Sequence, residues 1–180
     1  PWTKGQLAIV HGTGLAPGLT TTRSHFEAQR IMEVGSTDDS QPGFLNGFVA
    51  GLGTVSKVAS VGKSGQMQRM LGGSAPALAI SDPKTFGISG FQDKAKAMGA
   101  IASMHARATT STYASMAQRT IDGIGVVQSV NWSGLAPQNS APYLGTDKVD
   151  DRFKEVAAML RAGVGLRAAA IDMDGWDTHN

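Results

Sequence analysis

Asp177 and His179 stand two residues apart in the run Asp172-Met173-Asp174-Gly175-Trp176-Asp177-Thr178-His179. In an extended chain, residues i and i+2 project to the same side, so a carboxylate oxygen and an imidazole nitrogen converge on one cation. That donor pair suits zinc, manganese or iron better than calcium. Asp172 and Asp174 are near enough in sequence to add a ligand or to hold the imidazole by a hydrogen bond. The same run also reads as a polar strand end, with Asp177 capping a turn and His179 in solvent, because a metal site needs a larger ligand set.

A second candidate is Ser24, at the start of Ser24-His25-Phe26-Glu27. Serine with glutamate three positions on forms a capping box, which marks a helix start. The free N–H groups and the dipole at such a start would equally stabilise a serine alkoxide and the oxygens of a phosphate or sulfate. Arg23 could then clamp that anion bidentately. Ser24 is therefore a cap, a nucleophile, or both. His25 and His11 fall near the same mouth, whereas His105 lies inside a helical run and reads as packing.

Three other motifs tempt. Gly12-Thr13-Gly14 follows a strand like a dinucleotide fingerprint, but the third glycine would have to stand at Pro17, and the helix starts only at Ser24. Gly62-Lys63-Ser64 echoes the end of a phosphate-binding loop, yet Lys57 stands where its first glycine belongs. Asp172-Met173-Asp174-Gly175 looks like the nucleophile segment of haloacid-dehalogenase-like phosphatases. The usual threonine is replaced by Trp176, and the remaining motifs of that class would lie downstream of Asn180.

The elements that must position these groups follow from periodicity. Residues 7–11 (Leu-Ala-Ile-Val-His) form a buried strand, 12–23 a loop, and a helix runs from Ser24 to Gly35. Another helix lies near 42–52, followed by weak strands or turns to about 73, then a strand over 76–80. From 91 to about 129 the pattern is helical, with Phe91, Ala95, Met98 and Ala102 on one face and Ala117, Ile121 and Ile124 on another. Residues 131–142 form a loop. A helix over 148–162 presents Val149, Phe153, Val156, Ala157 and Leu160, and Gly163 and Gly165 end it before a strand over 166–171.

Strands alternating with helices predict an α/β fold, a mostly parallel sheet with flanking helices, in which strands 7–11 and 166–171 run parallel. The chain forms one partial domain over 1–180: a strand-loop-helix unit at 5–35, a helical insertion near 90–130, and a helix-strand unit at 148–180 ending in Asp-Thr-His. Functional groups of such sheets gather beyond the carboxyl ends of the strands.

The chain has 180 residues, 41% apolar and 17% charged, which suits one domain with a sizeable core and argues against a disordered tail or fibrous repeat. A net charge of +2 without a basic cluster gives no footprint for nucleic acid. The absence of cysteine removes disulfides, thiol catalysis and cysteine zinc sites. No apolar run is long enough to span a membrane. The first residues carry neither an initiator Met nor a signal-peptide core, and the last stop amid polar chemistry, so the chain reads as a piece of a longer protein.

The segments GQLAIVHGTGL (5–15), TRSHFEAQRIMEVGS (22–36) and GLRAAAIDMDGWDTHN (165–180) together resemble the bacterial domain-of-unknown-function family numbered 1501. Residues 41–142 match it only loosely. That family is placed near the alkaline phosphatase and sulfatase superfamily, metal-dependent hydrolases of phosphate and sulfate esters. The resemblance implies an alkaline-phosphatase-like fold incomplete at both ends. It assigns Asp177 and His179 as ligands of a divalent metal such as zinc or manganese, with no organic cofactor. Ser24 falls on the serine of the family's Arg-Ser-His-Phe motif, where a nucleophile could sit, and Arg23 on the neighbouring arginine. His25, His11, Asp172 and Asp174 would support the site. A small anionic ester is the implied substrate, and a twin-arginine export signal implies the periplasm or cell envelope. The family's Gly-Gly-x-Asp-Gly segment would precede Pro1, and its Ser-Glu-Phe-Gly-Arg and Asp-His motifs would follow Asn180, so this piece would hold part of a site and be inactive alone. The alternative is a non-catalytic envelope protein that keeps the fold and binds a partner or a glycan.

Overall fold

Ser24 opens the first helix as its position predicts. Its backbone is extended (φ −78°, ψ 117°), and its Oγ accepts from the Glu27 N–H at 3.4 Å, satisfying one of the donors that a helix start leaves free. Helix α1 (His25–Val34) stops at Gly35, whose φ of 74° is left-handed and whose N–H donates to the Ile31 carbonyl at 2.7 Å. This computed structural model describes residues 2–5, 24–53, 56–58, 60–63, 65–107, 111–133, 136 and 148–172. The expected strand 7–11, and with it the expected pairing to 166–171, lies outside the described residues.

Strands β1 (Ser60–Lys63), β2 (Ala77–Ala79) and β3 (Ala168–Ile171) form one sheet in the order β2-β1-β3, every pair parallel. Val61 lies opposite both Leu78 and Ala169, and Gly62 opposite Ala79 and Ala170. Parallel neighbours need long crossovers. The one from β2 to β3 carries α3 (Lys94–Ala106), α4 (Ser111–Ser129) and α5 (Lys148–Arg161). The fold is thus α/β with an open parallel sheet and flanking helices. The central strand falls in the stretch that periodicity left undecided, because Ser-Val-Gly-Lys carries a single strong apolar residue.

The two faces of the sheet follow from the strand period of two. On the Val61 face, Val58, Val61 and Ile80 join Val127 of α4, Val130 just after it, and Ala158 and Met159 from α5 in the main core, with Leu78 and Ala169 packed against it. Each fully buried Val, Ile or Met side chain among them contributes roughly 1.5–3 kcal/mol of burial. On the other face, Val49 of helix α2 (Phe44–Gly51) packs with Ala75 and Ala168. Asn46, fully buried on α2, ties this layer together: its Nδ2 donates to the Leu71 and Ala75 carbonyls at 2.8 and 3.0 Å, and its Oδ1 accepts from the Ala75 N–H at 3.1 Å.

Two expectations about helix faces need correction. Phe91 precedes α3 and is exposed, and α3 has no buried residue, so the face of Ala95, Met98 and Ala102 is no core face. On α5, Phe153 and Leu160 are 52% and 58% exposed, while Ala158 and Met159 are buried. The turn of α5 is set by Arg152, Glu155, Val156 and Met159, which share one helical face. Two charged residues point inward there, and a pattern built on apolar spacing places them outside.

Candidate functional site at the carboxyl edge

β1 ends on Lys63, whose side chain is 2% exposed. Its Nζ lies 2.5 Å from Glu155 Oε2 and donates to the Ile80 carbonyl at 2.8 Å, with the Ser81 carbonyl at 3.5 Å. An ammonium has three protons, and these groups surround it, so its charge is compensated and its donors are used. Lys63 thereby joins the carboxyl ends of β1 and β2 to α5. Its role is structural, which agrees with the failure of Gly62-Lys63-Ser64 as a phosphate loop.

One turn earlier on α5, Arg152 Nη1 donates to the main-chain carbonyl of Asp172, the residue directly after β3. Arg152 therefore fixes the point where the chain leaves β3. Asp172 lines a cleft of 270 Å³ at this edge, together with Phe26, Gln29 and Glu33 of α1 and the segment 66–69 that follows β1. No hydrogen bond to the Asp172 carboxylate is found among the described residues.

Gln29, Arg30, Glu33 and Arg69 of the cleft are committed. Glu33, buried on α1, accepts from Gln29 Nε2 at 2.6 Å and from the Met70 N–H at 2.9 Å, which pins α1 to the helical turn Arg69–Leu71. Arg30 pairs with Asp39, and Arg69 Nη2 donates to the carbonyls of Asp39 and Gln41 at 2.5 and 2.7 Å. Gln68 is buried with its amide unpaired.

Ser24 is exposed and lies on a different opening. With His25, Ala28, Met32, Phe44 and Met70 it lines a mostly apolar groove of 730 Å³, which among the described residues shares Gln29 and Glu33 with the Asp172 cleft. Ser24 and Asp172 thus line neighbouring openings, both bordered by Gln29 and Glu33. The capping role of Ser24 is directly visible, and His25 sits beside it on the first turn. Arg23, His11, Asp174, Asp177 and His179 lie outside the described residues, so their distances to Ser24 are not defined. Among the described residues, no three His, Asp or Glu side chains come together as a metal-binding group, and no helix is long and apolar enough to cross a membrane.

Sequence reasoning missed Lys63, Glu155, Arg152, Gln68 and Asn46. The first three carried a signal of sorts: a lysine ending a buried strand needs an acid, and an inward i, i+3 pair on a helix supplies one. No family model, curated protein or solved structure matches the chain.

Proposed function

We propose that this chain is part of a metal-dependent phosphate- or sulfate-ester hydrolase of the alkaline phosphatase type, working in the bacterial periplasm or cell envelope. The observation that carries the reading is the carboxyl edge of the sheet. There β3 delivers Asp172 beside a cleft, and Asp174, Asp177 and His179 follow it directly in sequence. The three motifs that resemble the domain-of-unknown-function family 1501 support the same reading, since two of them flank this edge in sequence.

In this proposal Ser24 Oγ attacks the phosphorus or sulfur of the ester. The bond to serine forms as the bond to the alcohol oxygen breaks, and the alcohol leaves with a proton. Water then cleaves the serine ester, which restores the hydroxyl. Arg23 holds two oxygens of the anion by its planar fork. Asp177 and His179 would hold the divalent ion, which supplies Lewis-acid polarisation of the ester oxygen when bound. The donor set fits such an ion, and the uncommitted Asp172 carboxylate is an acceptor for a ligating imidazole. Asp174, His25 and His11 would orient these groups.

The test is hydrolysis of aryl phosphate and aryl sulfate by the protein with its natural flanking sequence, with and without added zinc or manganese. Metal-dependent turnover lost in Asp177→Asn and His179→Ala is the expected result. No turnover with any metal would leave the non-catalytic envelope protein as the reading.

A further inference from the structure

The 730 Å³ groove beside Ser24 has two walls tied to one floor. His25, Ala28, Gln29 and Met32 recur at helical spacing, so they share the face of α1 that forms one wall. From Ser24 to Met32 that face runs for about 12 Å at the helical rise. Phe44, the first residue of α2, lines the other wall, and Met70 lies between. The Met70 N–H donates to Glu33 of α1 at 2.9 Å, and the Gly43 N–H, just before α2, donates to the Gly72 carbonyl at 2.8 Å. Gly43 packs so closely on Arg69 and Met70 that a Cβ would overlap their main-chain atoms. The groove is thereby preformed, at a volume usual for small organic ligands. We propose that it takes an alkyl or aryl chain on the alcohol side of the anionic ester, so that the substrate is an amphiphile.

The lining selects the chain. Met32 and Phe44 are 54% and 52% exposed in this opening, so a ligand that covers them removes apolar surface from water. Glu33 is 5% exposed, and its carboxylate accepts from Gln29 and from the Met70 N–H, which withdraws the acid and the amide into packing. The wall at α2 comes from residues 40–56, a run without a single charged residue. Past Ser24 and His25, the side chains of Ala28, Met32, Phe44 and Met70 hold no strong donor or acceptor for the hydroxyls of a sugar or polyol. Ser24 stands at one end and Met32 two turns on. An ester whose phosphorus or sulfur meets Ser24 Oγ in line sends its alcohol oxygen and chain away from the serine, along this face. The head group rests on the hydrolase reading of the preceding subsection; the chain rests on the groove.

Two measurements on the protein with its natural flanking sequence test the chain and the head group separately. Saturation-transfer NMR titrations with 1-butanol, 1-hexanol, 1-octanol and glycerol need no turnover. Affinity should rise about three- to fourfold per methylene, and glycerol should not bind. Met32→Gln and Phe44→Ser, both at exposed positions, should each weaken octanol about fivefold or more with the melting temperature unchanged. Met104→Gln, 71% exposed on α3 outside the groove, should leave octanol binding as it is. Hydrolysis of butyl, hexyl and octyl phosphate with added zinc should then rise in kcat/KM along the same series. No binding of the alcohols, no dependence on their length, octanol binding unchanged in both groove variants, or a dimer that Met32→Gln breaks apart would each overturn the assignment. Turnover indifferent to chain length would overturn it too, and would leave the hydrolase standing. Chain-length-dependent binding of the alcohols without turnover of any ester would sink the hydrolase reading and its head group, with the chain site intact.

Discussion

Lys63 Nζ and Glu155 Oε2 meet at 2.5 Å across the boundary between the central strand and α5, with the lysine side chain 2% exposed and the glutamate 22%. The pair does not add net stability simply by being a salt bridge, since desolvation opposes the attraction. Its effect is one of placement. Removing one member leaves the other charge stranded.

Glu155→Leu should therefore destabilise the protein by about 3 kcal/mol, because Lys63 stays buried without its acid. Lys63→Met should cost much less, since the partly exposed Glu155 can reach water. Urea unfolding of both variants checks this. Equal costs would mean that the pair is not buried in the asymmetric way described.

Asn46→Ala should cost about 3 kcal/mol, because the Leu71 and Ala75 carbonyls and the Ala75 N–H lose their partners within the layer under α2. Hydrogen exchange should accelerate most at Ala75. A variant as stable as wild type, with Ala75 still protected, would contradict the role given to Asn46.

Ser24→Ala separates two uses of one hydroxyl. As a cap it should lower stability by about 1 kcal/mol. As the proposed nucleophile it should in addition abolish turnover while the fold persists. Loss of stability with activity retained would leave Ser24 a cap alone.

Asp38 should titrate at about 2, below its usual value of 3.8. The Gln41 amide donates to its Oδ2 at 3.0 Å and the Ser40 N–H to its Oδ1 at 2.9 Å, and both favour the ionised form. A depressed value in the folded state means stabilisation that is fully present above pH 3.8 and lost as the pH falls toward 2. Carboxyl chemical shifts followed by NMR through that range are the measurement. A midpoint near 3.8 would show that the turn before α2 is not held by this carboxylate.

Much of the local structure was legible without coordinates. Ser24 and Gly35 bound α1, Gly163 and Gly165 follow α5, and the strands near 76–80 and 166–171 appear as β2 and β3, because caps, left-handed glycines and apolar runs act through neighbours in the chain. The residue types that suit a metal and an ester are equally a matter of sequence, as are the absent cysteines and the near-neutral charge. Tertiary structure alone decided the rest. The central place of Ser60–Lys63, the inward turn of Arg152 and Glu155, the Asn46 lock and the unpaired Gln68 amide each depend on groups brought together from distant segments. No local spacing encodes such a meeting. A charge or an amide is polar to any window of sequence, and only its partners, or their lack, settle whether the fold can bury it.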